Sequence, residues 1–598
     1  MHLARIRIVG FRNLKDVQIE LEPGLNVFVG ANNVGKTNIF DALRLALGSA
    51  AASDGSYVQL DRDDFYRETR TEDPANNIRV SLTFEDLSVP QMAHFHELIE
   101  PDLADIAESK ATLHVEAVWN PARHRATLQR WGGSEKRERA SISMETLQAL
   151  PITFLPALRD AEAALTPGYG NRVAQLFRDR IKRTAGDTSE AEMLTIFTTA
   201  NESLVDLDVV KDVTKEFSGY VRSMSGIDFV DPIITAAPPE IHRILRSLSV
   251  ALESGPVPDI GGCGLGYNNL LYVGTVLTHL GHFGDGDQPL LVVEEPEAHL
   301  HPQLVQLLAV QLGKDSGKVQ TLVSSHSTAF VSSIDPRQVR PVFRDSDSNV
   351  RIGSLANVGL DAKEARQLQR MMDMTRAALF FARGVILVEG VSEALLVPAL
   401  AKRIGVDLRA AHVSVVPIAG VAFETFNKVL SEEGLRTRVA IVTDTDPPLV
   451  KKKGKKELPW NQITFEEDGG APKPSARVIK LKKAFSDHDS VRVFTSKVTL
   501  EYDLADAAAG NPGAMAEVWE SVFKGTPGTF STKKLAKLTD HNERTLATWR
   551  GICLANTTGG KAEFAHRLVE HLGDEKNEFA VPEYLEDAIR FVTEADDE

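Results

Sequence analysis

Two groups of residues in this chain have the types and spacing that chemistry on phosphates requires. The first is Gly30-Ala31-Asn32-Asn33-Val34-Gly35-Lys36-Thr37, which fits G-x-x-x-x-G-K-[ST] at every fixed position. Glycines at Gly30 and Gly35 let backbone N–H groups close on phosphate oxygens with no side chain in the way. Lys36 offers a point charge to the β- and γ-phosphates, and the Thr37 hydroxyl can ligate Mg²⁺. The partner motif is Pro289-Leu290-Leu291-Val292-Val293-Glu294-Glu295-Pro296, an apolar run ending on two carboxylates. Glu294 can hold the Mg²⁺ shell there, leaving Glu295 to orient or deprotonate the attacking water. The distance in sequence from Thr37 to Pro289 is too long for a compact GTPase-like core. It fits an ATPase whose halves are split by insertions.

The second group is acidic. Val385-Ile386-Leu387-Val388-Glu389-Gly390 ends an apolar strand on a carboxylate with a glycine turn behind it, and Glu393 falls in the first turn of the helix that follows. Val439-Ala440-Ile441-Val442-Thr443-Asp444-Thr445-Asp446 ends another strand on Asp-x-Asp. Carboxylates at the C-terminal ends of adjacent parallel strands converge at the crevice where α/β sheets bind ligands. Three or four such acids repel one another unless divalent cations neutralise them, and hard oxygen ligands suit Mg²⁺ or Mn²⁺. Two such ions can clamp the attacking and leaving oxygens of a phosphodiester. Any one of these acids alone would read as a solvated strand end. A zinc site of His299, His301 and His326 is a rival use of those histidines. The proline-bounded loop directly after the acidic pair favours packing for His301 instead.

The elements needed to position these groups are present. Leu3–Val9 and Val17–Leu21 alternate as strands, and Leu25–Val29 is a short apolar strand before the glycine loop. Ile39, Leu43, Ala46 and Leu47 then recur at helical spacing, with Gly48 as the stop. Residues 51–150 mix strands (Ile78–Phe84, Ala111–Trp119) with polar connections, as an antiparallel lobe would. Asn171–Met224 turns helical and charged. Pro289–Val293 and Gln320–Ser324 read as buried strands, and a helical connector covers Asp361–Phe381. Strand and helix then alternate through Val385–Val388, a helix from Ser392, Val413–Val416 and Val439–Val442, which predicts a parallel sheet.

Composition bounds the answer. With 598 residues, 43% hydrophobic and 25% charged, the chain is globular and multidomain. Two cysteines, Cys263 and Cys553, exclude a disulfide scaffold and a multi-cysteine zinc module. No signal peptide is evident in the alternating opening residues, and no run approaches the ~18 apolar residues of a membrane span, so a cytoplasmic protein is expected. The net charge of −16 argues against a nucleic-acid partner at first sight. The balance is uneven, however: Lys451 to Lys497 holds twelve Lys/Arg against six Asp/Glu and opens with Lys451-Lys452-Lys453-Gly454-Lys455-Lys456. Such a stretch can meet a phosphate backbone, and Trp460 could stack on a base or pack.

Several stretches resemble known groups. Ile8-Val9-Gly10-Phe11-Arg12-Asn13 resembles the start of the ABC-type ATPases of chromosome and repair proteins. Glu294-Glu295-Pro296-Glu297-Ala298-His299-Leu300-His301-Pro302 is similar to their second acidic motif, and Ser325-His326-Ser327 to their switch histidine. In that group a signature loop from one protomer caps ATP on the other. Gly264-Leu265-Gly266-Tyr267-Asn268-Asn269, ahead of a helix expected at Leu270, is the best candidate, although it departs from the Ser-Gly-Gly-Gln core. The resemblance thus implies a nucleotide set of Gly30, Asn32, Asn33, Gly35, Lys36, Thr37, Arg12, Glu294, His326 and Gly266. Glu389-Gly390…Glu393 followed by Asp444-x-Asp446 resembles the Toprim domain of topoisomerases, primases and some nucleases.

An N-terminal ABC-type ATPase joined to a C-terminal Toprim domain resembles the OLD (overcoming lysogenization defect) family of ATP-coupled nucleases, which includes the nuclease subunit of the Gabija anti-phage system. Ile152–Asp160 is similar to the family's segment ahead of a helical dimerisation insert. Thr499-Leu500-Glu501-Tyr502-Asp503-Leu504 is similar to its late acidic motif, and Gly559-Gly560-Lys561-Ala562-Glu563-Phe564-Ala565 to its late lysine motif. By that resemblance Glu389, Glu393, Asp444, Asp446 and Glu501 are metal ligands. Glu389, Lys561 and Glu295 are catalytic, with Lys561 stabilising charge on the phosphate in the transition state. The implied fold is α/β: ATPase over 1–165 and 236–345, a helical dimerisation insert over 166–235, a helical connector over 346–383, and a Toprim domain with a C-terminal helical extension over 384–598. The implied function is an ATP-binding, Mg²⁺- or Mn²⁺-dependent DNA endonuclease, in phage defence or DNA processing. A homodimer or higher homo-oligomer is expected, with a separately encoded helicase as a candidate partner. Two rivals stand beside it. A topoisomerase needs a tyrosine in a breakage domain, which is not evident among eight tyrosines, and a primase needs a cysteine-rich zinc module. A non-nucleolytic ATP-driven clamp or repair ATPase would leave the acidic cluster without a purpose.

Overall fold

The computed structural model of the chain describes residues 1–48, 59–69, 71–102, 105–134, 139, 141–150, 152–156, 165–167, 171–183, 188–225, 240–248, 250, 265–280, 289–345, 347–418, 423–431, 433–450, 463–522, 531–554 and 560–593. Within these, an antiparallel sheet runs in the order Leu14–Glu20, His2–Phe11, Asn77–Glu85, Lys110–Asn120, Ile99–Glu100, with Arg125–Gly132 also paired to Lys110–Asn120. Period-two burial marks the strand Asn77–Glu85: Ile78, Val80, Leu82 and Phe84 face inward while Arg79, Ser81 and Thr83 are half-buried on the other face.

A second sheet carries the phosphate-motif residues. Its order is Val350–Ile352, Val339–Arg344, Leu25–Val29, Gln320–Ser324, Leu290–Glu294, Ile152–Leu155, parallel except for the outer hairpin. Leu25–Val29, Leu290–Glu294 and Gln320–Ser324 are buried throughout, and the buried polar Asn26 and Gln320 donate to the backbone carbonyls of Glu22 and Leu3. Alternate residues feed two cores. Leu25, Val27, Val29, Leu291, Val293 and Val323 pack on one face, and Phe28, Leu290, Val292 and Leu322 on the other. The sheet takes in Val350–Ile352, past the boundary expected at 345.

The third sheet is wholly parallel: Val413–Pro417, Gly384–Val388, Arg438–Thr443, Val491–Thr495. The core that receives Val27 and Val293 also receives Val385, Leu387, Val439 and Ile441 from this sheet, with Leu368, Leu379 and Phe380 from the connector between them. The two parallel sheets therefore share one continuous apolar core. On its other face, Ile386, Val388, Ala440 and Val442 pack against the C-terminal helix Glu583–Thr593 and share one core with Val391–Arg403 and Gly560–Leu572. Burial of each Val, Leu or Ile there contributes roughly 1.5–3 kcal/mol. The helical stretch expected near 171–224 forms three helices, Arg172–Arg183, Ser189–Val205 and Asp208–Ser225. No helix among the described residues is long and apolar enough to cross a membrane.

Candidate functional site

The glycine loop leaves the buried strand Leu25–Val29 and enters the helix Lys36–Leu47, which stops at Gly48 (φ 57°). A Cβ on Gly30 would stand 2.2 Å from the Val342 carbonyl oxygen, so the loop crosses the adjacent strand at a separation only glycine allows. Lys36 is buried, and its Nζ donates to the carbonyls of Gly30 (2.7 Å) and Ala31 (2.9 Å). Burial lowers its pKa to about 8, against the raising pull of Glu295 and Glu297, so the ammonium survives at neutral pH. Asn32, Asn33 and Thr37 are exposed at the mouth of the loop.

Sheet order brings the acidic pair to this loop, because Gln320–Ser324 separates the two strands that carry them. Glu294 is buried and pairs with Arg44 (3.2 Å), which also meets Asp41 (3.4 Å). Arg12 donates to Asp41 (2.6 Å), Asp64 (2.8 Å) and Asn38 (2.8 Å), so its guanidinium is engaged with the helix after the loop. Arg12, Asp41, Arg44 and Glu294 thus form one chain of ion pairs. Glu295 sits at φ 43°, a left-handed backbone that a non-glycine adopts at a cost. Its Oε1 lies 3.8 Å from His326 Nε2. Burial and the nearby Lys36 lower the His326 pKa, so this is a neutral imidazole beside a carboxylate.

Sequence reasoning overlooked Glu297. Its Oε1 accepts from Ser325 Oγ (2.9 Å) and from His326 N (2.6 Å), tying the acidic loop to the switch loop. Burial pushes its carboxyl pKa up. Asn13, which donates to the Val34 carbonyl (3.1 Å), buttresses the glycine loop in a similar way. The signature candidate needs a correction. The helix begins at Leu265, not Leu270, so Gly266 lies in its first turn. Tertiary contact overrides the poor helix propensity of Gly266, Asn268 and Asn269: a Cβ on Gly266 would meet His299 O at 2.7 Å, and Asn269 donates to Ala298 O (3.1 Å). Among the three histidines, His301 caps the helix Pro302–Lys314 by accepting from Gln303 N.

The second site lies at the C-terminal ends of Gly384–Val388 and Arg438–Thr443, adjacent parallel strands. Glu389 Oε1 accepts from Thr443 Oγ1, from Asp444 N (3.2 Å) and from Arg477 Nη1 (3.2 Å). Asp444 Oδ1 accepts from Leu500 N (2.8 Å) and Ser496 Oγ (3.3 Å). Glu393, in the first turn of Val391–Arg403, caps Gly390 N (3.1 Å). Asp446, at φ 45°, meets Arg477 Nη2 (3.0 Å). Glu501 is buried in the first turn of Leu500–Asp506 and pairs with Lys561 Nζ (2.9 Å), from the first turn of Gly560–Leu572. The structure therefore brings all five acids and Lys561 into one neighbourhood.

At this proximity the acids act on one another electrostatically. Burial, then Glu501, Glu389, Asp446 and Glu393, hold the Asp444 carboxyl well above its usual range. Burial, then Glu501 and Glu389, raise the Glu393 carboxyl. Burial also acts to raise Glu501, but the Lys561 ammonium overcomes it and holds the carboxyl below its usual value. A like-charge neighbour at about 4 Å costs roughly 4 kcal/mol at an effective dielectric of about 20. Five such acids need cations. Among the described residues no three acidic, histidine or cysteine side chains converge at metal-ligand distance. Arg477 instead holds Glu389 and Asp446, and Lys561 holds Glu501. The all-oxygen donor set, with Asp444 repelled by four other acids, fits a hard divalent cation. Sequence reasoning missed Arg477, Thr443, Ser496 and the Tyr584 phenol, whose pKa burial and Asp444 raise. The basic run Lys451–Lys456 and Trp460 lie outside the described residues.

Comparison with known proteins follows this division. Residues 380–446 match the family described as "Overcoming lysogenization defect protein-like, TOPRIM domain". Residues 5–130 match an AAA domain and residues 173–331 an AAA ATPase domain. The chain thus carries an OLD-like Toprim domain together with AAA-type ATPase domains. An OLD nuclease of Thermus scotoductus is 25% identical over 556 residues, covering 88% of this chain and 96% of that protein. The endonuclease GajA of Bacillus cereus is 20% identical over 541 residues, covering 85% and 90%. The uncharacterized YbjD of Escherichia coli is 24% identical over 475 residues, covering 74% and 80%. By these matches the third sheet belongs to the Toprim domain, and the second sheet with its antiparallel lobe to the ATPase.

Proposed function

We propose that this chain is an ATP-binding, divalent-metal-dependent DNA endonuclease, working in the cytoplasm in phage defence or DNA processing. The observation that carries the reading is the gathering of Glu389, Glu393, Asp444, Asp446 and Glu501 at one edge of the Toprim sheet with Lys561 beside them. Similarity to proteins named OLD nuclease and endonuclease GajA supports it. A non-nucleolytic clamp would leave this cluster, which strains against its own charge, without a role.

Glu389, Asp444 and Asp446 would hold Mg²⁺ or Mn²⁺, with Glu393 and Glu501 completing the set. When bound, the ions supply the positive charge that lets water attack a phosphodiester. Glu389 takes the proton from that water in this reading. Thr443 Oγ1 and Asp444 N, both donating to Glu389 Oε1, fix which way its carboxylate faces. Lys561 provides a fixed charge for the phosphate as negative charge builds on it. Lys561→Ala is expected to slow cleavage of plasmid by about 10²–10³-fold, with DNA affinity in a gel-shift assay unchanged. A matching loss of affinity would make Lys561 a binding residue only. The whole reading is tested on plasmid with Mg²⁺, Mn²⁺, ATP or EDTA. Metal-dependent nicks support it, and intact plasmid under every condition overturns it.

In the ATPase half, Lys36 and Thr37 would hold the phosphates and Mg²⁺ with Glu294, and Glu295 would orient the attacking water. The reading extends to a homodimer, in which Gly266 of one copy caps the nucleotide of the other. Helix Asp208–Ser225 offers a surface for it. Val209, Val213, Phe217 and Tyr220 follow helical spacing and are 66%, 51%, 53% and 70% exposed. Light scattering is expected to give a dimer for the parental chain and a monomer for Val213→Glu with Phe217→Glu. A parental monomer, with and without ATP, would remove the shared-site reading.

A further inference from the structure

The cation that bridges the acidic cluster in this structure belongs to the chain. Arg477 lies in the first turn of the helix Ala476–Ala484, whose start is tied to the Asp-x-Asp loop by Ser475 N donating to Thr445 O (3.3 Å). Its guanidinium gives Nη1 to Glu389 Oε1 (3.2 Å) and Thr443 Oγ1 (2.9 Å), and Nη2 to Asp446 Oδ2 (3.0 Å) and Asp444 O (2.8 Å). One fork therefore spans the ends of both acidic strands and joins two of the carboxylates assigned to metal.

We propose that Arg477 is a built-in counter-ion that occupies the space between Glu389 and Asp446 and must be displaced before a divalent cation can load, so that it sets the metal concentration at which the site fills. This rests on the metal-dependent reading above. A guanidinium cannot leave by losing its proton, so only movement of the side chain vacates the carboxylates. That movement is open to it, because the side chain is 26% exposed on a long flexible stem. The bonds it gives up are charge-assisted, so a cation entering the cluster does so against them. The same bonds keep Glu389 and Asp446 from repelling each other while no metal is present. An ordinary structural ion pair predicts the opposite sign: its loss would disorder the carboxylates and weaken metal binding.

The test is Mn²⁺ binding by calorimetry, without DNA, on the full-length parental chain, Arg477→Gln, Arg477→Lys and Asp444→Ala. The expected result is binding about tenfold tighter in Arg477→Gln, with Arg477→Lys in between because it keeps the charge but loses the fork. Metal-free Arg477→Gln should melt below the parental chain and recover in saturating Mn²⁺. Unchanged or weaker Mn²⁺ binding in both Arg477 variants would overturn the counter-ion role. Mn²⁺ binding that survives Asp444→Ala would instead overturn the metal site itself, and the inference with it.

Discussion

Glu389→Gln and Glu501→Gln are each expected to remove plasmid cleavage by about 10²–10⁴-fold, and the double variant should be little worse than either. Glu389 is where the cluster's contacts meet. One oxygen, Oε1, accepts from a hydroxyl, a backbone N–H and a guanidinium. Replacing it removes a ligand and the proposed base together. Glu501 acts from the other side, buried with Thr499 Oγ1 donating to Oε2 (3.0 Å) and Lys561 on Oε1 (2.9 Å). Its loss frees Lys561 and removes charge from the cluster. Groups that serve one set of ions are non-additive, because the first deletion already disables the set. Effects that multiply would mean the two acids serve separate functions.

Lys36→Ala should reduce ATP hydrolysis to background while metal-dependent nicking by the Toprim site persists. Lys36 is buried and makes both its hydrogen bonds to the loop's own carbonyls, Gly30 O and Ala31 O, so it shapes the loop as well as charging it. Deletion leaves those carbonyls without donors, at a cost of about 1–3 kcal/mol. Thermal melts of Lys36→Ala and Lys36→Met therefore accompany the assay. A phosphate-steered reaction loses its positioning charge in either variant. Parental hydrolysis in Lys36→Ala would refute the assignment of the loop. Loss of nicking together with hydrolysis would instead point to coupling through the apolar core that Val27 and Val293 share with Val385 and Ile441.

What the sequence made legible was local. Strand, glycine loop and helix over Leu25–Leu47 can be read because each step is a periodicity or a stop signal. The ends of Gly384–Val388 and Arg438–Thr443 can be read for the same reason, and carboxylates at parallel strand ends must converge. The order of the strands was not legible, nor was the strand Val491–Thr495, whose half-exposed residues mute its pattern. Arg477 was hidden because its role depends on a contact across the fold, and within a basic stretch it looked like one more surface cation. Glu297 was hidden by its neighbours, since nothing in Glu-Glu-Pro-Glu marks which carboxylate turns toward Ser325. The start of the helix at Leu265 was misjudged because Gly266 and Asn269 are held helical by His299 and Ala298, residues far along the chain. Lys561 was carried by family resemblance alone, and the structure places it 2.9 Å from Glu501.

The measurement that bears most directly on the account is plasmid cleavage against Mn²⁺ concentration for the parental chain and Asp444→Ala, side by side. Burial and four neighbouring acids hold the Asp444 carboxyl up, so its replacement relieves charge in the cluster, and a thermal melt of Asp444→Ala accompanies the assay. Nicks and linear product are expected to rise with Mn²⁺ in the parental chain, to vanish in EDTA, and to be absent from Asp444→Ala at every concentration. Parental cleavage by Asp444→Ala would contradict the metal assignment.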